Sequence, residues 1–289
     1  MLFNEFTPGI KRDGGKGFVY RSDISCDADL DIALDLPLVI LGKVNVSGNL
    51  RSKSSITASR DIIVQRDFEV AAGFIRGCGC IKAGGGVRAS SGITADTGIE
   101  AGVSIISGGR IKTAHGSLIA KRNIFAEDGA IWAEQSITAR HGTIRTTSNL
   151  TAVHGDILAN EDIKAPRGGI SANGSIKANR GIILAGRRII AGGSIEAAGS
   201  IHSAKSIESG KDIIAGSITA GWGLKANETI QSSTYIHAET RIFAGLHLFH
   251  NDEEAQKTIR CTEVTGQICY GTLILLDPNE EMEDANAYT

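Results

Sequence analysis

A large aliphatic residue, usually isoleucine, returns about every six residues between Ile56 and Ile242. The residue two places later is small and most often alanine, as in the tripeptide Ile56-Thr57-Ala58. Residues i and i+2 of a strand point to the same face, so the aliphatic side chain and the alanine point inward together. The residue between them faces solvent, and about three turn-forming residues complete the unit. An amphipathic helix would need spacings of three and four residues, which this pattern does not have.

The unit recurs about thirty times, and repeats of this kind indicate a stacked architecture. A strand of two or three residues is stable only when its backbone pairs with coils stacked ~4.8 Å above and below it. The aromatic content is only 5%, which agrees with a thin core of isoleucine and alanine. The sequence therefore predicts an all-β fold, a single-stranded parallel β-helix or β-solenoid.

The number of sides in each coil follows from the spacing of the anchors. From Ile111 to Ile189 the spacing alternates strictly between seven and six residues. Corners stack in register when the same corner holds the extra residue in every coil, so strict alternation favours a flattened two-sided coil. Elsewhere the spacing is mostly six, which fits two or three sides, and a corner can absorb one residue as a bulge. The two-sided coil is the favoured shape and the three-sided coil the alternative.

The two ends of the chain lack the regular motif. Residues 1–38 mix proline, glycine and charge, and residues 246–277 keep strand-like runs without the Ile-x-Ala pattern. An open coil exposes unpaired edges and apolar core, so we expect both segments to cap the solenoid of residues 39–245. Residues 278–289 are acidic and are expected to form a flexible tail.

The glycine-, serine- and alanine-rich units resemble bactofilins, the polymer-forming bacterial cytoskeletal family. An example is the run GSIEAAGSI from Gly193 to Ile201, and the resemblance covers residues 39–245. It implies a right-handed parallel β-helix and end-to-end assembly without nucleotide. The chain departs from the family in its greater length and its long non-repeating ends. The hexapeptide acyltransferases, a second solenoid family, need a small residue two places before the anchor, where this chain has Arg60, Gln135 and Glu161.

Charge and cysteine content narrow the expected partners and compartment. The formal net charge of −2 provides no global field to attract nucleic acid or anionic lipid. The N-terminal residues include Glu5 and Pro8, where a signal peptide needs an apolar run. Five cysteines, an odd number, do not form a disulfide framework. We therefore expect a cytoplasmic protein with no nucleic-acid or membrane partner.

The outward residues of a two-sided coil would place an apolar stripe along one side. Contiguous exposed apolar surface commonly marks a partner site, and tryptophan is enriched among binding hot spots. The stripe would instead scatter if the coil had three sides, or be covered if a terminal segment folded back along it. The residues predicted to bind a partner are Ile106, Ile119, Trp132, Leu158 and Leu184.

The other side of a two-sided coil would be mostly basic or polar. Lys164 and Lys177 would lie in register on it and could meet phosphate or an acidic partner. Given the nearly neutral charge balance, ordinary solvated lysines are the simpler expectation.

Several short clusters have the side chains of metal ligands but not the spacing of a metal site. A zinc site needs about four ligands, and a calcium loop also needs a glycine turn and a later glutamate. We expect surface or corner residues here, and neither a metal nor a cofactor. The residues concerned are Cys78, Cys80, His247, His250, Asp27, Asp29 and Asp31.

These observations predict a non-enzymatic scaffold or protein-binding module that binds a protein partner or another copy of itself. A carbohydrate-active β-helix enzyme is one alternative, but it needs clustered carboxylates on one face. Here the outward acids are scattered along the chain, and no small-molecule substrate is indicated. A phage- or plasmid-encoded inhibitor that blocks a host protein by surface contact is the other alternative.

Overall fold

A computed structural model describes residues 1–245 and 257–277, and these residues form strands and turns without any helix. Their 39 short strands belong to one continuous sheet that winds around a single apolar core. With the exception of one antiparallel pair near the N-terminus, the strands pair in parallel. The predicted β-solenoid is therefore confirmed.

The strands follow one another at nearly constant intervals. The first thirteen are β1 (Leu2–Phe3), β2 (Ile10–Asp13), β3 (Gly17–Tyr20), β4 (Ile24–Cys26), β5 (Leu30–Ile32), β6 (Leu38–Ile40), β7 (Val44–Val46), β8 (Leu50–Ser52), β9 (Ile56–Ala58), β10 (Ile62–Val64), β11 (Phe68–Val70), β12 (Ile75–Gly77) and β13 (Cys80–Ala83). The next thirteen are β14 (Val87–Ala89), β15 (Ile93–Ala95), β16 (Gly98–Ala101), β17 (Ile105–Ser107), β18 (Ile111–Thr113), β19 (Leu118–Ala120), β20 (Ile124–Ala126), β21 (Ile131–Ala133), β22 (Ile137–Ala139), β23 (Ile144–Thr146), β24 (Leu150–Ala152), β25 (Ile157–Ala159) and β26 (Ile163–Ala165). The last are β27 (Ile170–Ala172), β28 (Ile176–Ala178), β29 (Ile183–Ala185), β30 (Ile189–Ala191), β31 (Ile195–Ser203), β32 (Ile207–Ser209), β33 (Ile213–Ala220), β34 (Leu224–Ala226), β35 (Ile230–Ser232), β36 (Tyr235–Ala244), β37 (Thr258–Cys261), β38 (Glu263–Tyr270) and β39 (Thr272–Leu275).

Each coil has three sides. From β3 to β27, each strand pairs with the strand three places later, so Val44, Ile62 and Ile81 lie above one another. We call the three sides face A (β4, β7, β10 and their successors), face B (β5, β8, β11) and face C (β6, β9, β12). Near the C-terminal end some corners are so short that one long strand, such as β31 or β33, covers parts of faces A and B. The favoured two-sided coil is therefore wrong.

Glycine explains why the alternating spacing did not require two sides. Between Ile111 and Ile189 the longer corner moves to a different edge of the triangle at every turn, and its third residue is always glycine. A Cβ atom on any of these glycines would overlap atoms of the corner one coil earlier. The extra residue is therefore accommodated by a close approach that only glycine permits. These glycines are Gly116, Gly129, Gly142, Gly155, Gly168 and Gly181.

The core is a set of stacked columns. The anchor and the residue two places later are buried along all three faces, whereas the residue between them lies at the surface. Buried hydroxyl groups replace alanine at a few inward positions and donate to corner carbonyls, as Ser52 Oγ does to the carbonyl oxygen of Ser54 at 2.7 Å. The sequence pattern therefore predicts the inward and outward direction of side chains correctly.

Polar residues just before the anchors connect successive corners. The Asp61 Oδ1 atom accepts a hydrogen bond from the Cys80 backbone N–H at 2.9 Å, one coil further along. Asn123 and Asp156 make the same contact with Thr143 and Ser175. Aspartate, asparagine and serine at these positions therefore satisfy backbone donors that the corners would otherwise leave without a partner.

Both segments expected to be caps contain strands that continue the stack. At the N-terminus, β4 and β5 already lie in register with β7 and β8, and β1 pairs with β5. At the C-terminus, β37 pairs with β35 and β39 pairs with β37. Stacking thus extends beyond residues 39–245 in both directions, while the expected acidic tail at residues 278–289 lies outside the described residues.

Candidate functional site

The residues predicted to form one apolar stripe lie on three different faces. Ile106 and Leu184 belong to face B, Ile119 and Leu158 to face A, and Trp132 to face C. The single stripe is therefore wrong, because it followed from a two-sided coil. Whether any of these residues binds a partner stays a prediction.

Trp132 already contacts its own chain. The Lys112 ammonium group lies 4.8 Å from the centre of the Trp132 ring, and the two residues are register neighbours on face C. A cation at this distance is attracted to the negative face of an indole ring. The partly buried tryptophan is thus held against face C by the preceding coil.

The predicted basic ladder is also divided between faces. Lys164 lies on face B, and its Nζ atom is 2.6 Å from Asp162 Oδ2. Lys177 lies on face A, and its Nζ atom is 2.8 Å from Glu196 Oε2. The two lysines are therefore not in register, and each is paired with an acid of its own.

The described residues hold no group of three or more side chains that could bind a metal ion. Cys78 is exposed and Cys80 is partly buried. Burial, followed by the nearby carboxylate of Asp61, raises the pKa of the Cys80 thiol. His247 and His250 lie outside the described residues.

The three alternating aspartates occupy the first coils. The Asp29 side chain accepts a hydrogen bond from the Asn49 backbone N–H, and this bond lowers the pKa of the Asp29 carboxyl group. Asp31 lies 3.9 Å from Arg51 on face B. Asp29 and Asp31 therefore contribute to contacts between coils, while Asp27 is exposed on the corner between β4 and β5.

The N-terminal end of the solenoid is closed. The first inward residues of faces A, B and C are Ile24, Phe3 and Phe18, which are 4%, 1% and 7% exposed. Phe3 packs edge-on against Tyr20 with 5.2 Å between ring centroids. β2 runs antiparallel to β3 and ends the parallel stacking on face C. The core is therefore covered at this end.

The C-terminal end of the solenoid is open within the described residues. Leu273 and Leu275 continue the inward columns of Ile259 and Cys261, which are fully buried one coil earlier. Yet Leu273 is 37% exposed and Leu275 is 61% exposed. Val264 and Ile268 end the inward columns of faces B and C and are only partly buried.

The strands at this end also have a free edge. Among the described strands, β39 pairs only with β37, and β38 pairs only with β36. Their outer N–H and C=O groups therefore face away from the stack. Exposed apolar columns and unpaired strand edges together form a surface suited to adding another strand.

The run from Cys269 to Leu276 is strand-like in sequence, and the sequence predicts that it belongs to a cap. The signal that could have identified the open end is the alternation of Leu273 and Leu275 in a strand near the end of the repeat. Their exposure follows because no coil comes after β39 among the described residues, and the sequence of the strand itself does not specify this.

Comparison with models of known protein families found no match, and comparisons with curated proteins and with solved structures found none either. The resemblance to bactofilins therefore stays a prediction. Within residues 1–245 and 257–277, no helix is present that could cross a membrane.

Proposed function

We propose that this protein is a non-enzymatic interaction scaffold that associates with a second copy of itself through its C-terminal end. The observation that carries the proposal is the contrast between the two ends of one core. Ile24, at the N-terminal end of face A, is buried, whereas Leu273 and Leu275 at the C-terminal end of that face are exposed to solvent.

The open end supports association because two favourable contributions to the binding free energy, apolar burial and strand pairing, arise there. Burying apolar surface contributes roughly 25 cal/mol per Å², and Leu273, Leu275, Val264 and Ile268 provide that surface. The unpaired backbone groups of β38 and β39 would exchange hydrogen bonds to water for hydrogen bonds to a partner strand. Each term alone is modest, but both arise at the same surface.

A second copy is the partner that fits this end by symmetry. A two-fold axis perpendicular to the solenoid brings β39 antiparallel to its own copy and matches one triangular end to an identical one. Head-to-tail stacking is disfavoured because the antiparallel strand β2 and the packed pair Phe3–Tyr20 close the N-terminal end. We therefore infer a closed dimer as the scaffold and not an extended filament.

A cytoplasmic location agrees with the state of the cysteines. Cys78 and Cys269 are exposed free thiols, and free thiols persist most readily in a reducing compartment. The scaffold would then present six side faces per dimer to other proteins.

The test is the molar mass in solution, measured by light scattering after size-exclusion chromatography across a wide range of protein concentration. The full-length chain is expected to be a dimer, and Leu275→Asp combined with Leu273→Asp is expected to be a monomer with unchanged circular dichroism. Val103→Asp is the matched control, because Val103 is a similarly exposed aliphatic residue far from the open end.

A wild-type chain that stays monomeric at all concentrations contradicts the proposal. So does a dimer that forms only after removal of residues 278–289, since that segment of the same chain would then cover the open end. A dimer that survives both leucine substitutions places the interface elsewhere.

A further inference from the structure

A transverse slot crosses face C at β15. Its floor is the coil that carries Gly92 and Thr94, and its two walls come from the coils before and after. The small side chains of this one coil lie between longer side chains, which leaves a cavity of about 560 Å³. Because coils stack ~4.8 Å apart, the two walls are roughly 10 Å from each other.

The walls of the slot carry three cationic side chains. Arg76 and Lys112 flank Thr94 in register, and Arg110 lies beside Lys112 at the corner. None of the salt bridges within the described part of the chain involves these three residues. Arg76 and Arg110 are exposed, so both guanidinium groups are accessible from the slot.

Lys112 is held in place by Trp132, which does not line the slot. Its ammonium group lies over the Trp132 ring of the next coil, 4.8 Å from the ring centre. This contact reduces the number of side-chain rotamers that a ligand would have to order, and thus the entropic cost of binding. The wall formed by Arg110 and Lys112 is therefore partly preorganised.

The two ends of the slot, taken along the strand direction, present different side chains. Phe74 and Arg110 lie where the strands begin, Arg76 and Lys112 in the middle, and Asp96 where the strands end. One end thus combines a cation with an aromatic ring, and the other end presents a carboxylate. Ser91, at the corner before β15, and Thr94, in the middle of β15, also line the slot.

We propose that this slot binds an anionic sugar, either a uronic acid or a sugar phosphate. Arginine side chains bind carboxylate or phosphate through paired N–H donors. The Asp96 carboxylate repels a second anionic group but accepts hydrogen bonds from sugar hydroxyls, and Ser91 and Thr94 can donate to or accept from them. The arrangement therefore favours a ligand with one anionic end and one hydroxyl-rich end over a uniformly charged polymer.

Phe74 supports the same choice of ligand. Its side chain is exposed at the corner beside Arg76, and an exposed aromatic ring offers an apolar face to the C–H groups of a sugar. The slot lies on a side face and is lined by residues between Phe74 and Ala114, whereas the proposed dimer interface is at the C-terminal end. Sugar binding and dimerisation can therefore be tested independently.

The test is isothermal titration calorimetry of the full-length chain with glucuronate and with glucose 6-phosphate. At least one of them is expected to bind about tenfold more tightly than either glucose or inorganic phosphate. The comparison of the two anionic sugars identifies carboxylate or phosphate as the preferred group. The proposal would be overturned if neither anionic sugar binds, or if inorganic phosphate binds as tightly as the tighter of the two anionic sugars.

Variants locate the binding to the slot. Arg76→Ala and Arg110→Ala are each expected to weaken binding about tenfold, and Thr94→Phe is expected to abolish it by filling the floor. Arg145→Ala is the matched control, since Arg145 is an exposed arginine on face B without a salt bridge among the described residues. An equal loss of affinity in the control, or no loss of affinity in the slot variants, would overturn the proposal. Binding of a hexaglutamate peptide or a single-stranded oligonucleotide more tightly than the anionic sugars would also overturn it.

Discussion

Gly116 lies against the backbone carbonyl oxygen of Thr97, the corner residue one coil earlier, so closely that a Cβ atom on Gly116 would overlap it. The neighbouring backbone of Gly98 lies on the same side. Because both neighbours are main chain, they cannot move aside as a flexible side chain would. The longer corners of the triangular coil therefore depend on glycine at this position.

Gly116→Ala is expected to lower the free energy of unfolding by about 2 kcal/mol or more, because the added methyl group forces two corners apart. Chemical denaturation followed by circular dichroism measures the loss. Gly86→Ala is the matched control, since a Cβ atom at Gly86 would lie at ordinary contact distance, 3.4 Å from the carbonyl oxygen of Ser104. Equal stability of the two variants would contradict the account of the corners.

Ile137→Ala is expected to destabilise the chain by roughly 2–5 kcal/mol, because Ile137 is fully buried in the column of face A. Ile119→Ala is expected to cost far less, since Ile119 points outward from the neighbouring coil of the same face. Urea denaturation of both variants provides the comparison. Similar losses would mean that the inward and outward positions are not as described.

Asp61→Asn is expected to reduce the dependence of stability on pH in acid. The Cys80 backbone N–H donates to the Asp61 carboxylate and lowers its pKa below the ordinary value of 3.8 in the folded chain. A lowered folded-state pKa stabilises the fold above the ordinary value, and this contribution is lost as the pH falls through the lowered pKa.

The measurement is the free energy of unfolding of both chains at neutral pH and at several values below about pH 4. Asparagine keeps an acceptor oxygen for Cys80 but not the charge, so the variant should be less stable than the wild-type chain at neutral pH and should approach it in stability in acid. An unchanged loss of stability in acid would show that Asp61 does not contribute to it.

Trp132→Asp distinguishes the interface predicted from the sequence from the one proposed at the C-terminal end. If the apolar stripe that includes Trp132 were the interface, this change would abolish partner binding or self-association. If the C-terminal end is the interface, Trp132→Asp leaves the dimer intact and lowers stability by about 1 kcal/mol, through loss of the contact with Lys112. Light scattering and thermal unfolding of the same sample report the two effects separately.

The regular part of the fold could be predicted because each unit repeats the same local rule. Ile62 and Val64 point inward and Ile63 outward, as the alternation of a strand requires. The direction of these side chains depends only on neighbours in the sequence. All the predicted anchors from Ile56 to Ile242 therefore lie in the buried columns.

The candidate site could not be predicted in the same way. Ile106 and Ile119 were assigned to one stripe, yet they lie on faces B and A, because their relative position depends on the number of sides in a coil. The slot on face C likewise requires Arg76, Thr94 and Lys112 to be neighbours, which only a three-sided coil achieves.

By itself, the sequence determined that this chain forms short parallel strands around a thin aliphatic core, since the periodicity of two within each unit sets which side chains are buried. The tertiary structure decided the three-sided coil, the neighbours across coils and the contrast between a closed and an open end. These features depend on how corners of unequal length stack on one another. Stacking joins residues nearly twenty positions apart, which a pattern of six residues does not specify.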